Sequence, residues 1–200
     1  MFWSLASGVT VWSAYEVFYL WALANGVVPS FDFSDHLFVF LVWLLKLPVL
    51  TSSHFYLVHR LLNWPPLYRR VHRLHHRNIQ IGPWSGISMH PVQHIIYISS
   101  VLVHFVLTSH PTILLVHLYS RYMGPAFSHV GFEKLLVKND AIVDAANFHH
   151  RLHHRFFECN YGTVDAPWER RFGSTHDGSD ADTARVREQR RRMYRGHPPV

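Results

Sequence analysis

The chain has 200 residues, of which 48% are hydrophobic and only 16% are charged, and its formal net charge is +6. Since soluble domains carry about 25% charged residues, this balance argues against a soluble globule and favours an integral membrane protein. No Lys or Arg precedes Lys46 and the arginines crowd residues 60–77 and 151–195, so we interpret the charge as an orientation signal and expect no nucleic-acid partner.

Two transmembrane segments are predicted before the first basic cluster. Residues 5–28 are mostly apolar and long enough to cross a hydrocarbon core of about 30 Å. Glu16 interrupts them, and we expect its carboxylate to form a hydrogen bond with another helix. A second apolar segment begins at Leu37 and is predicted to continue as a helix to His59. Residues 1–51 are therefore predicted to form an N-terminal transmembrane region.

A basic stretch and a hydrophobic hairpin follow. Trp64-Pro65-Pro66 is predicted to end the second helix, and helical spacing resumes at residues 67–78. Residues 92–108 and 111–127 are predicted to form two apolar arms of about 17 residues, short enough to be re-entrant. Their turn carries no Lys or Arg, so it is expected on the outer side, with the histidine-rich segments on the cytoplasmic side of a bacterial inner membrane or endoplasmic reticulum.

The last residues change composition again. Residues 176–200 are polar and rich in arginine, and we predict a poorly ordered tail. The predicted fold class is an all-α integral membrane protein. It has about four hydrophobic helices and a cytosolic, histidine-rich helical cap that encloses a di-metal site.

Histidine is the most unusual feature of the sequence, with 18 residues. The six residues from His72 to Arg77, His-Arg-Leu-His-His-Arg, recur unchanged from His150 to Arg155. Because residues three and four apart on a helix share a face, each copy is expected to point three imidazoles the same way. Converging neutral imidazoles are typical metal ligands, and their number favours two ions close together.

Other histidines are weighed by position. His59 and His129 end hydrophobic segments at the predicted depth of the repeated motif, and both are predicted ligands. His149 adjoins the second copy but points about 100° away from its neighbour, and His90 begins the hairpin. Both are candidate additional ligands. His104 and His117 lie within the hairpin arms and are predicted to be hydrogen-bonded interior residues, with a haem site between them as an alternative.

These motifs stand in a characteristic order, with Tyr56-x-x-His59-Arg60 first, then the two histidine copies, His129-x-Gly131-Phe132, Asn160-Tyr161-Gly162 and Trp168-Glu169-x-x-Phe172-Gly173. Over residues 52–175 the chain resembles the fatty acid hydroxylase superfamily, also called the sterol desaturase family. The resemblance implies a catalytic domain in which two iron ions, with zinc as an alternative in purified protein, use O2 to hydroxylate or desaturate a membrane lipid. The implied ligands are His59, His72, His75, His76, His129, His150, His153 and His154.

The sequence departs from the family pattern at Asn63, where a histidine ligand is usual, and at Gln93, where an acidic residue is usual. Asn63 is thus a further candidate ligand, and its presence motivates an alternative: a metal-binding membrane relative with impaired catalysis. Since no Gly-rich dinucleotide fingerprint occurs, electrons are expected from an external donor of the cytochrome b5 or ferredoxin type.

Overall fold

The computed structural model describes residues 3–78, 82–130, 134–137, 140–144, 147–163 and 167–193. Its α-helices are α1 (Thr10–Ala24), α2 (Leu37–Leu62), α3 (Pro65–Leu67), α4 (Arg73–His76), α5 (Pro83–Gly86), α6 (Pro91–Ile98), α7 (Pro111–Phe127), α8 (Asn147–Phe156), α9 (Trp168–Arg171) and α10 (Asp180–Met193). Two π-helical segments, Trp3–Val9 and Tyr68–His72, precede α1 and α4, and a 3-10 helix, Ser99–Phe105, extends α6.

The helical fold is confirmed, with one addition that the sequence analysis did not predict. Strands β1 (Lys134–Val137) and β2 (Asp140–Asp144) pair in an antiparallel hairpin between α7 and α8. The cytosolic cap is predicted above to be helical. This prediction is wrong for the hairpin, whose backbone pairs its N–H and C=O groups between strands instead of along a helix.

The second predicted helix is confirmed as α2, which ends at Leu62 before the Trp64-Pro65-Pro66 break. Within the described part of the chain it is the one helix that is long and apolar enough to cross a membrane. Much of its surface is not covered by protein, and Phe38 and Leu45 are 78% and 75% exposed. Such apolar exposure along a 26-residue helix is unusual on a surface that faces water.

Helices α1, α6 and α7 pack around one apolar core. Tyr19 of α1, Ile98 of α6 and Leu114 of α7 are fully buried in it. The Tyr119 hydroxyl of α7 donates a hydrogen bond of 2.8 Å to the Glu16 carboxylate of α1, as expected for this carboxylate. The packing holds the hairpin formed by residues 91–127 against α1 and α2, with the ends of α2 and α7 on the same side.

The prediction of a poorly ordered tail is wrong for residues 176–193. Helix α10 forms there and buries Val186 against Leu152 and Phe156 of α8 and against Cys159. His176 is buried, and its backbone N–H donates to the Asn160 side chain. The tail is polar overall, but Val186 and the hydrogen bonds from Arg185 to the carbonyls of Gly173 and Thr175 dock the helix.

Candidate metal centre

The structure brings together the eight histidines that the sequence analysis selected, and all of them are buried. They form two groups, in each of which one ring nitrogen per residue lies within 4.8 Å of the others. The first histidine group consists of His59, His72, His76 and His153. The second histidine group consists of His75, His129, His150 and His154.

Five segments of the chain supply these side chains. His59 comes from the last turn of α2, and His129 lies just beyond the end of α7. The first motif copy runs through the π-helical turn before α4 and through α4, whereas the second copy lies on α8. Each copy contributes to both groups, because residues four apart point the same way and the residue between them points to the neighbouring group.

The ring nitrogens are spaced like ligands of a common ion. In the first group, His72 Nε2 lies 3.1 Å from His59 Nε2 and 2.9 Å from His76 Nε2. In the second group, His154 Nε2 lies 3.1 Å from His129 Nε2 and 3.2 Å from His150 Nε2. Neighbouring nitrogens bound to one ion at about 2.1 Å, with angles of 90–110°, are about 3.0–3.4 Å apart.

The opposite ring nitrogens fix the tautomers of His59, His153 and His129. His59 Nδ1 is 2.6 Å from the Tyr161 carbonyl, and His153 Nδ1 is 2.7 Å from the Cys159 carbonyl. A carbonyl oxygen only accepts hydrogen bonds, so each of these Nδ1 atoms carries the proton and donates it. His129 donates in the same way to the carbonyl of Pro125 at 2.7 Å.

The Nε2 atoms of His59 and His72 therefore present lone pairs to each other. His72 Nδ1 is 3.0 Å from Gln93 Oε1, so its Nε2, like that of His59, has no proton to donate. Two lone pairs 3.1 Å apart repel unless a cation lies between them. The donor set thus fits a metal ion in chemistry and in spacing, and the histidines of each group would hold it.

Burial keeps these imidazoles neutral at physiological pH. Loss of solvation lowers the pKa of His75 to about 4 and that of His129 to about 3, from a usual value of 6.5. Loss of solvation is also the main reason why the pKa values of His72, His76, His150 and His153 lie well below 6.5. Neutral imidazole is the form that binds metal, so no proton has to leave first.

Three candidate ligands from the sequence lie outside both groups. The Asn63 side chain donates to the His59 carbonyl at 2.9 Å and ends helix α2. His90 accepts a hydrogen bond from the Val92 N–H at the start of α6. His149 is only partly buried and is not among the residues of either group. Each group has four imidazoles without them.

His104 and His117 form a hydrogen-bonded pair inside the hairpin, as predicted for interior residues. His104 Nε2 is 3.1 Å from His117 Nδ1, and the outer nitrogens contact Ser109 and Ser100 at 2.8 and 2.9 Å. The two imidazoles lie against each other, which leaves no room for a haem between them.

Gln93 and Tyr161 stand in the sequence motifs, but nothing in those motifs connects them with the histidines that they orient. The carbonyl of Tyr161 orients His59, and this turn is fixed by Glu169, whose carboxylate accepts from the Gly162 N–H and the Ser174 hydroxyl. Gln93 is the buried acceptor for His72. The only signal for Gln93 was its place three residues after His90, where the family pattern has an acidic acceptor.

Replacing Gln93 with leucine is expected to weaken metal binding in the first histidine group by about 10–100-fold, because His72 loses the acceptor that orients its ring. Gln93→Glu retains an acceptor and is expected to bind nearly as well as the parent protein. Competition with a chelator of known affinity measures both. Equal retention of metal by the leucine variant and the parent would contradict this role.

A cavity of about 180 Å³ reaches the metal centre from between α2, α6 and α7. His59, His75, His129 and His150 line one part of it. Phe55, Val58, Met89 and Tyr97 supply apolar and aromatic walls. An organic molecule in this space would therefore have atoms next to both histidine groups.

Comparison with known proteins gives consistent results. Residues 43–174 match the fatty acid hydroxylase family. The chain is 31% identical over 138 residues to the Delta(7)-sterol 5(6)-desaturase ERG3 of Saccharomyces cerevisiae, covering 66% of this chain and 35% of that protein. The Delta(7)-sterol 5(6)-desaturase of Candida glabrata is 30% identical over 137 residues, with the same two coverages.

A third relative, the Delta(7)-sterol 5(6)-desaturase ERG3B of Gibberella zeae, is 33% identical over 115 residues, which are 54% of this chain and 33% of that protein. The chain thus spans about a third of the length of the curated relatives it matches. No solved structure matches it significantly.

Proposed function

The chain belongs to the fatty acid hydroxylase family, and we propose that it is a membrane-bound oxidoreductase that hydroxylates or desaturates a C–H bond of a lipid. The observation that carries the proposal is the pair of buried four-histidine groups whose neighbouring Nε2 atoms lie about 3 Å apart. The relatives are named as sterol desaturases, which makes a lipid the substrate class to test first.

Two iron ions bound by the histidines would supply the O2-dependent redox chemistry that cleavage of an unactivated C–H bond needs. The residues of this chain have other tasks. Carbonyls of Tyr161, Cys159 and Pro125 hold the ring protons on Nδ1 and leave each Nε2 free to bind. The apolar walls contributed by Phe55 and Val58 keep the lipid in the cavity and restrict the access of water.

A membrane location is supported by the exposed apolar surface. Val17 on α1, Leu45 on α2 and Val106 at the hairpin turn are 66%, 75% and 79% exposed. We propose that α1, α2 and the hairpin of residues 91–127 lie in the bilayer, with the hairpin either spanning or re-entrant. The histidine groups then lie at the cytoplasmic surface, on the side where the arginines concentrate.

The experiment that tests this function combines metal analysis with lipid chemistry. The full chain, purified in a neutral detergent after growth with iron, is expected to hold about two iron ions. Lipids from cells with and without the gene are compared for a gain of one oxygen or a loss of two hydrogens. Two bound irons without any such lipid product, and without O2 consumption, would contradict the proposed activity.

Electrons are proposed to come from an acidic carrier protein of the cytochrome b5 or ferredoxin type. Arg69 and Arg70 are exposed on the π-helical turn that leads directly into His72, so a carrier bound there would be close to the first histidine group. Charge complementarity mainly raises association rates, and salt screens it.

Reversing both charges, with Arg69→Glu and Arg70→Glu, is expected to lower carrier-dependent turnover by about 10-fold or more at low salt, with metal content unchanged. The matched control reverses Arg187 and Arg191, which are exposed on α10. Stopped-flow oxidation of the reduced carrier measures the rate. If the α10 variant is slowed as much as the first variant, or neither is slowed, docking at Arg69 and Arg70 is refuted.

The alternative function, a metal-binding relative with impaired catalysis, was motivated by Asn63. Asn63 lies outside both histidine groups, and its amide ends α2 by donating to the His59 carbonyl. Replacement of Asn63 with alanine is therefore expected to leave the iron content unchanged and to cost about 1 kcal/mol of stability. Loss of an ion from this variant, measured by elemental analysis, would instead make Asn63 a ligand and favour the alternative.

A further inference from the structure

Arg121 is a buried cation for which the activity described above has no use. It lies on α7, is only 9% exposed and lines the cavity that leads to the histidine groups. Its Nε atom is buried and has no hydrogen-bond partner. Among the described residues, its guanidinium makes one hydrogen bond, of 3.4 Å, to the Thr51 carbonyl.

Among the described residues, no carboxylate forms an ion pair with Arg121. The arginines that form ion pairs there are Arg185, Arg190 and Arg192. The guanidinium lies over the Tyr97 ring, 5.1 Å from its centroid. A cation–π contact offsets only part of the free-energy cost of burying an ion. A buried arginine that lines a cavity and lacks a carboxylate partner favours an anion bound in that cavity.

The positions of Thr51 on α2 and Arg121 on α7 indicate how far Arg121 lies from the metal centre. Thr51 precedes His59 by eight residues on α2, and Arg121 precedes His129 by eight residues at the end of α7. Since a helix rises about 1.5 Å per residue, both offsets place the Cα atoms of Thr51 and Arg121 roughly 12 Å from those of His59 and His129. Arg121, His59 and His129 all line the same cavity.

We propose that Arg121 binds an anionic head group of the lipid substrate and thereby determines specificity. This inference rests on the proposed lipid-oxidising function and names the chemical class of its substrate: a lipid whose head carries a carboxylate or phosphate oxyanion. The guanidinium fork holds the head group, and the apolar chain extends along the cavity to the histidine groups. The oxidised carbon then lies well along the chain, away from the head group.

The test measures binding to the metal-loaded full chain in a neutral detergent, so it does not require turnover. The probes are hexadecanoate, hexadecyl phosphate and hexadecanol, which share one chain length and differ in head group. The parent protein is expected to bind at least one anion about 10-fold or more tightly than the alcohol. The tighter of the two anions identifies the head group.

Arg121→Gln is expected to remove this preference while the affinity for hexadecanol stays the same. Arg170→Gln, at an exposed position on α9, is the matched control and retains the preference. Iron content and melting temperature are recorded for each variant. If Arg121→Gln does not fold, Arg121→Lys replaces it, and the preference should then fall because an ammonium lacks the bidentate fork.

Two results would overturn the proposal: a parent protein that binds the alcohol as tightly as both anions, or a folded Arg121 variant with an unchanged preference. Failure of the proposed function looks different. In that case the preference for anions persists, but no lipid is oxidised. Conversely, oxidation of a neutral lipid by a protein without anion preference removes the role of Arg121 and leaves the function intact.

Discussion

Replacing His72 with alanine is expected to remove one of about two bound metal ions and to reduce lipid oxidation to background. His72 Nε2 is central in the first histidine group, 3.1 Å from His59 Nε2 and 2.9 Å from His76 Nε2. Its loss leaves three imidazoles and a space that admits water. Elemental analysis of the purified protein counts the ions, and product formation by mass spectrometry follows the activity.

The same result is expected for His129→Ala, because His129 belongs to the second histidine group. Each single variant should retain the ion of the other group, and the double variant should retain neither. Cleavage of the C–H bond requires both ions in the proposed function, so each single variant should also be inactive. This pattern separates two neighbouring sites from one site with eight ligands, in which either variant would affect all the bound metal.

His149→Ala is the matched control for both variants. This side chain is adjacent to His150 in the sequence, yet it lies outside both groups. Its replacement should leave both ions and most of the activity in place. Retention of two ions by His72→Ala, or loss of an ion from His149→Ala, would show that the grouping of the histidines is wrong.

Replacing Gly86 with alanine is expected to lower the stability by about 3 kcal/mol, or the melting temperature by about 6–12 °C. A Cβ atom at Gly86 would lie 2.0 Å from the carbonyl oxygen of Pro125 and 2.9 Å from His129 Nδ1. The Pro125 carbonyl belongs to the backbone of α7 and accepts the hydrogen bond that orients His129. Helices α5 and α7 must separate to admit a methyl group.

This variant should also lose the ion of the second histidine group more readily than that of the first, because only His129 is displaced. Gly82→Ala is the control, since a Cβ at Gly82 meets nothing within 4 Å. Thermal unfolding in detergent and chelator competition measure the two effects. If the Gly86 and Gly82 variants melt together and hold metal equally, the close approach of α5 to α7 does not position His129.

The regular features of the fold could be predicted because they depend on local patterns. Apolar length predicted α2, and the Trp64-Pro65-Pro66 break predicted that the helix ends before Trp64, as it does at Leu62. The tail was mispredicted because its composition is polar. Docking of α10 depends on Val186 meeting Leu152 and Phe156, a contact between distant segments that composition does not contain.

The sequence by itself determined which eight histidines come together, since the repeated motif and the ends of α2 and α7 give them a common depth. Only the tertiary structure decided how they divide. His76 joins His153 in one group, whereas His75 joins His150 in the other, because neighbouring positions on α4 point to different sides.

The tertiary structure alone also decided which way the rings present their lone pairs. The carbonyls of Tyr161, Cys159 and Pro125 keep the protons on Nδ1. Every residue has a backbone carbonyl, so no sequence pattern marks the three that act here. The buried charge of Arg121 also depends on the tertiary structure. The sequence shows that residue 121 is a cation, but only the packing of α2, α6 and α7 buries it without a counter-ion.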